Sequence, residues 1–377
     1  MKYFKYFFFL PASIALLVAS CSKSTDSTST ETSGDWIKCA EAGFAARSEA
    51  VSFVIGNKVY IGTGFDSYSN QYPGNNTTLY NNGKYNDLWV FDPTANGNLG
   101  AYSGLGAFSQ PSYMVSGTDT ASVRSGAVAF VCNGKGYVAT GNDGKYNLID
   151  NWEYTPGTNT WARKASLPQD PNFPGINARR DAVAFAIRDT GYIAGGLGNR
   201  ALNDLLVYDP INDKWTSKTS MPQSRYAACS FVYNNKAYVV TGTGSSGNMV
   251  KEMLCYNPGT SQWTSLGDII NTANLTKDDD YTDIARTNAV LFVKDSLAYL
   301  TTGMINGSYT AKTWMYNITT DTWTRKTPYQ RSLREGAIGF TVNGRCFVAL
   351  GTGGGTYFNN TSEFRPDLTY DASHDSN

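Results

Sequence analysis

"RSGAVAFVCNGKGYVATG", residues 124–141, strings together an arginine, small and apolar residues, one phenylalanine, a turn, a tyrosine and a threonine-glycine pair. The chain spells this stretch six times, starting at Arg47, Arg124, Arg179, Arg225, Arg286 and Arg334. Three residues on, every copy has alanine: Ala50, Ala127, Ala182, Ala228, Ala289 and Ala337. Six residues on, every copy has phenylalanine: Phe53, Phe130, Phe185, Phe231, Phe292 and Phe340. Position thirteen holds Tyr60, Tyr137, Tyr192, Tyr238, Tyr299 and Phe347, and position seventeen holds Gly64, Gly141, Gly196, Gly242, Gly303 and Gly351. Positions kept in this way define an internal repeat, which is read before any local motif.

Each copy carries the same physical content. A run such as "AVAFV" is short, apolar and rich in small and β-branched residues, the pattern of a buried strand. Turn residues follow, "NGK" here and "YNNK" elsewhere, and make a hairpin into "GYVAT". After a loop of variable length, a third segment carries an aromatic residue, as in "LWVFDP", "NWEYTP" and "LLVYDP". Seven residues past that aromatic stand Trp161, Trp215, Trp263 and Trp323 in four of the copies. The repeat therefore reads as four antiparallel strands, and the mature chain shows no helical periodicity.

This pattern resembles the Kelch repeat over residues 36 to about 366. The resemblance implies an all-β fold, a six-bladed Kelch-type β-propeller, each copy forming one blade. Only Gly195-Gly196 keeps the glycine pair usual in that family, and copy one has Asn98 where the tryptophan is expected. The sixth copy stops after its third strand, near "SEFRP", while "DWIKC" stands at the other end of the fold. Trp36 precedes Arg47 by eleven residues, as Trp323 precedes Arg334. Residues 35 to 40 are therefore expected to complete the last blade, which pairs the two ends and leaves only short edges.

Composition limits the chemistry. The chain has 377 residues, 31 basic and 31 acidic, with no basic stripe, so nucleic acid is not expected as a partner. The one histidine, His374, lies in a polar C-terminal tail, residues 368–377. That excludes a Ser-His-Asp triad and multi-histidine zinc or copper sites. Cys39, Cys132, Cys229, Cys255 and Cys346 have no CxxC or regular spacing and read as small buried hydrophobes. No cofactor is expected.

Residues 1–20 read as an export leader: Lys2 and Lys5 flank the apolar run "YFFFLPASIALLVAS", which ends in small residues before Cys21. "LVASC" resembles the lipobox of bacterial lipoproteins, which implies acylation of Cys21, with Ser22 resembling the outer-membrane sorting position. Residues 21–34, rich in Ser and Thr, cannot bury surface and read as a flexible tether to the propeller at residues 35–367. The expected state is a monomer held at the outer membrane by lipid alone, facing the periplasm or the cell surface.

Candidate site residues gather where a propeller's channel opens. The six arginines stand at the start of the innermost strands, at that mouth. Similar arginines line the channel in Kelch proteins and in some bind acidic partners. They read either as an anion-binding ring or as structural partners of nearby carboxylates such as Glu49, Asp181 and Glu335, or of loop carbonyls. The structural role comes first, because all copies share it. The loops between second and third strands are unequal and carry Tyr68, Tyr72, Tyr80, Tyr85, Tyr146, Arg200, Tyr309 and Tyr357. Aromatic faces and asparagine amides suit sugar rings, and tyrosine equally suits a protein surface. Asp278, Asp280 and Asp283 in "TKDDDYTD" are weak calcium candidates lacking the EF-hand glycine. "GTGSSG", residues 242–247, matches a dinucleotide-binding pattern but has no helix after it. The expected function is non-catalytic binding of glycan or protein. The alternative, by resemblance to sialate epimerase, is a sugar mutarotase using Arg334 with Glu335 or Arg47 with Glu49. Copper oxidase chemistry of the galactose oxidase kind is excluded by the missing histidines.

Overall fold

The repeat aromatics meet as ring pairs. In every copy the phenylalanine of the first strand stacks on the aromatic of the second, from Phe231–Tyr238 at 4.7 Å to Phe292–Tyr299 at 5.7 Å. The computed structural model describes Met1 and residues 33–67, 83–105, 112–116, 119–169, 175, 177–269 and 283–375. Each copy folds as one antiparallel sheet running outward from the axis. Blade 2 is typical: strands Val128–Cys132, Lys135–Ala139, Asn151–Thr155 and Thr160–Lys164, in sequence order across the sheet. The six blades close into the expected propeller.

Adjacent blades interlock through the residue just before the second-strand tyrosine, which is small in five blades: Gly136, Gly191, Ala237, Ala298 and Cys346. A Cβ on Gly136 would lie 2.1 Å from the Phe53 ring, and one on Gly191 would lie 2.3 Å from Phe130. Glycine is required there because the preceding blade's phenylalanine already fills the space.

The outermost strands pack by aromatic pairs too. Trp161, Trp215, Trp263 and Trp323 oppose Tyr154, Tyr208, Tyr256 and Tyr316, with centroids 4.8 to 5.0 Å apart. Blade 1 replaces the tryptophan with Tyr102, opposite Phe91 at 4.8 Å. The turn Ala95–Asn98, with Asn96 and Gly97 left-handed, lengthens the connection and shifts the register past Asn98.

Blade 6 takes its outer strand from the other end of the chain. Asp35–Lys38 pairs antiparallel with Thr361–Arg365, Trp36 facing Phe364. Trp36 is fully buried, 4.7 Å from Phe364 and 4.8 Å from Tyr329, and its Nε1 donates to Thr327 O at 3.1 Å. The polar C-terminal segment folds back onto the last blade. Its turn Ala372–Asp375 lies on this blade, where His374 Nδ1 is 2.6 Å from the buried Asp35 carboxylate. The five cysteines from Cys39 to Cys346 are free and buried. The leader, Cys21 and the tether lie outside the described residues, apart from Met1, Ser33 and Gly34. No described helix is long and apolar enough to cross a membrane.

Removing the Trp36 side chain leaves a cavity at the one seam that no hairpin holds. Trp36→Ala is expected to lose about 3–5 kcal/mol in chemical denaturation. A loss near zero would mean that the seam is closed by something else.

Candidate functional site

Two rings of backbone hydrogen bonds build the channel mouth. Position seventeen of each repeat is a glycine with φ between 87° and 101°. Its N–H donates to the carbonyl of the next blade's repeat arginine, from Gly64 to Arg124 at 2.8 Å round to Gly351 to Arg47 at 2.8 Å. A Cβ on Gly64 would lie 2.8 Å from Ser48 O, so the close approach as well as the φ demands glycine. The second ring lies two residues after each arginine, at Glu49, Gly126, Asp181, Ala227, Asn288 and Gly336, all left-handed with φ from 49° to 61°. Each N–H donates to the carbonyl of the preceding blade's equivalent at 2.8 to 3.2 Å, the ring closing from Glu49 to Gly336.

The arginines lie beneath this mouth and do not open into it. All six are 0 or 1% exposed. Each Nη1 donates to the carbonyl at position sixteen, at 2.8 to 3.4 Å, for example Thr63 O for Arg47 and Leu350 O for Arg334. The guanidinium then reaches the residue at or just before the start of the third strand: Asp87 for Arg47, Asp150 for Arg124 and Asp204 for Arg179, each through two nitrogens. Arg225 binds Glu252 O at 2.8 Å, with its carboxylate at 3.7 Å. Arg286 binds the carbonyls of Lys312 and Asp283, and Arg334 binds Asn360 Oδ1 at 2.7 Å. Burial alone would raise the Asp150 pKa, but Arg124 outweighs it and holds the carboxyl below the usual aspartate value. Of the two readings of the arginines, this geometry fits the structural one, which came first, and not a ring that faces a ligand. Loop carbonyls are partners as expected; Glu49, Asp181 and Glu335 are not.

What faces the mouth is a mixed group of charges. A cavity of about 160 Å³ is lined by Glu49, Asp181, Asn288, the small members of the ring and the six repeat alanines. One glycine leaves room for an acid: a Cβ on Gly126 would lie 2.4 Å from Asp181 Oδ1. Asp181, its side chain 12% exposed, accepts from Arg180 at 2.5 Å. Burial, reinforced by the charge of Glu49, raises its pKa to about 7 against the pull of Arg180 and Lys84. Lys84 is buried, donates to Ser125 Oγ at 2.7 Å and lies over the Phe65 ring at 4.7 Å. Burial lowers its pKa, with Glu49 opposing. Asn288 Nδ2 donates to Glu335 Oε2 at 2.8 Å.

The rim residues are scattered. Tyr146 is 60% exposed with Lys145 over its ring, and Arg200 is exposed. Tyr357 is partly buried, edge-on to Phe65 at 5.8 Å, and Tyr309 lies half-buried in a two-residue strand. Tyr85 is no rim residue: it is buried, its ring 3.7 Å from the Arg47 guanidinium and its hydroxyl on Asp66. Tyr68, Tyr72, Tyr80, Asp278 and Asp280 lie outside the described residues. Asp283 is engaged by Lys312, Arg325 and the Trp314 indole rather than open to a cation, and no metal-binding cluster occurs among the described residues. The mutarotase pairs are corrected as well, since Arg47 and Arg334 are committed below the mouth.

Residues 81–242 match the KLHDC2/KLHL20/DRC7 Kelch-repeats domain. The chain is a Kelch-type β-propeller. It is 32% identical to Kelch-like protein 24 of Rattus norvegicus over 109 residues, 29% of this chain and 16% of the relative. It is 24% identical to Kelch-like protein terF of Aspergillus terreus over 236 residues, 59% of this chain and 45% of that one. It thus spans less than half the length of these curated relatives. The solved structure of YjhT shares the propeller fold at a TM-score of 0.62 and 15% identity, over 86% of this chain and 95% of that one.

Asp181 fixes a pH dependence. Its folded pKa, about 7, lies above the unfolded value of 3.8. Its stabilising contribution is therefore complete below about pH 4 and is lost as pH rises through 7. Between about pH 5 and pH 8 the thermal midpoint of wild type is expected to fall relative to Asp181→Asn, and parallel curves would contradict the assignment.

Proposed function

We propose that this propeller is a lipid-anchored binding module of the cell envelope that grips a partner surface with the loop face around its channel mouth. The observation that carries this reading is the size and lining of the mouth. The mouth holds about 160 Å³ and adjoins about 200 Å³ of channel lined by the same six alanines. It accommodates one projecting polar group, while Tyr146 and the unequal loops supply surface outside it. A protein surface fits this description best, with Asp181, Glu49 and Asn288 taking a donor group at the centre. A glycan offering a single hydroxymethyl group is the other ligand of the same shape.

A second reading is favoured by one observation. A carboxyl poised near pH 7 beside another carboxylate is the arrangement a general acid–base pair requires. A sugar mutarotase would then use Asp181 with Glu49.

The same variants test both readings. Envelope pull-downs and glycan arrays are expected to return a ligand whose retention drops about tenfold or more with Tyr146→Ala or Asp181→Asn, hot-spot residues contributing 2 kcal/mol or more. Proton NMR of anomer exchange in free sugars is expected to show no acceleration. Acceleration lost in Asp181→Asn would install the mutarotase in place of the binder.

For the anchor, labelled palmitate is expected to enter the wild-type protein and not Cys21→Ala, and the variant is expected to leave the membrane fraction. An unlabelled, membrane-free wild type would remove the lipid from the proposal.

A further inference from the structure

The repeat supplies its own comparison for Arg334. In blades 1 to 3 the repeat arginine meets an aspartate at the opening of the third strand, and in blade 4 a glutamate stands there. In blade 5, Arg286 uses Nε, Nη1 and Nη2 on backbone carbonyls, and the nearby Asp283 charge supports it. Blade 6 has Asn360 at this position, and its amide carries no charge. Arg334 Nη2 has no hydrogen-bond partner although the side chain is fully buried.

A second guanidinium aggravates the imbalance. Arg331, 7% exposed, donates from Nη1 to Asp375 O at 3.1 Å and leaves Nε and Nη2 without partners. The Tyr329 hydroxyl, 3% exposed, is also unpartnered, and the Tyr329 ring lies 5.0 Å from the Arg334 guanidinium. Burial lowers the Arg334 pKa; Tyr329 opposes that effect and Arg331 adds to it. Among the described residues, neither arginine has a carboxylate within ion-pairing distance. Asp375, whose main-chain O takes Arg331, leaves its own Oδ1 buried and unpartnered, and buried polar groups are normally satisfied, so the spare donors of the two cations call for an anion.

We propose that Arg331, Arg334 and the Tyr329 hydroxyl form a carboxylate-binding site in blade 6, separate from the channel mouth and capped by the turn Ala372–Asp375. The group is a carboxylate because blades 1 to 3 place one on the same guanidinium, through paired N–H donors. The cap is lightly held: Arg331 on Asp375 O, Tyr370 on the Asp375 carboxylate, and His374 on Asp35. Tyr370, Asp371 and Ala372 are exposed, and His374 is the turn's contact with the closing strand.

The test uses the full chain at constant ionic strength and pH, with thermal midpoints read in sodium chloride, acetate, glucuronate, N-acetyl-aspartate methylamide and sulfate. The carboxylates are expected to raise the wild-type midpoint above its chloride value with a saturating dependence. Asn360→Asp, which supplies the carboxylate from within, is expected to raise the midpoint in chloride and weaken acetate binding about tenfold or more. Arg331→Met, which keeps most of the stem, is expected to abolish the acetate-specific shift and serves should the first variant misfold. A stronger response to glucuronate or to the aspartate derivative identifies a sugar acid or a peptide as the source. A wild type indifferent to all three carboxylates, a sulfate response equal to that of acetate, or an acetate response unchanged in Asn360→Asp and Arg331→Met would each overturn the proposal.

Discussion

The architecture depends on one contact repeated round the axis: a buried guanidinium held between a backbone carbonyl at the end of the second strand and the residue at or just before the start of the third. The chain leaves the second strand through left-handed residues, Thr63 and Gly64 in blade 1. That turn aims one carbonyl inward, away from any strand partner, where it would cost free energy unless satisfied. The arginine satisfies it and ties both strands to the start of its own. The glycine next in line then donates to the following blade's arginine carbonyl. Arginine and glycine recur together because one contact needs both.

Such a scaffold frees other positions to differ. The ring two residues after each arginine is held by backbone groups alone, so within the limits of a left-handed φ its side chains can differ from blade to blade. Glutamate, glycine, aspartate, alanine, asparagine and glycine occupy it in turn. Asp181 acquires its raised pKa here because the ring buries its carboxyl, and the charge of Glu49 adds to the effect. Regularity beneath and irregularity above is what a recognition surface on a repeat protein requires.

The fold was legible in the sequence because its determinants recur at fixed offsets within each copy. Phenylalanine, tyrosine and glycine fall at the same positions as the arginine, so the count of blades and the role of Trp36 could be read directly. The arginine's acidic partners were not legible, because variable loops separate them from it. Asp87 lies far along the chain from Arg47, whereas Glu49 is close in sequence and turns toward the channel. Tyr102 escaped notice for the same reason, its register moved by the Ala95–Asn98 turn. Tyr85 looked like a rim residue from its place in the long first loop, yet the Arg47 guanidinium draws its ring inward. The Glu49–Asp181 couple gave no signal beyond two acids in equivalent positions of separate copies.

Blade 6 differs from the others in covalent terms as well as in charge. Its outer strand arrives from more than three hundred residues away, without a hairpin to hold the register. Closure therefore relies on side chains: Trp36 wedged between Phe364 and Tyr329, and Thr327 Oγ1 donating to Gly34 O at 2.6 Å. The ring of Tyr329 thus touches both the closing strand and the Arg334 guanidinium. A charge bound beside Arg334 would act on the seam that keeps the propeller shut, through a single aromatic side chain. An anion that binds the closed ring better than the open one would, by linkage, also tighten that closure.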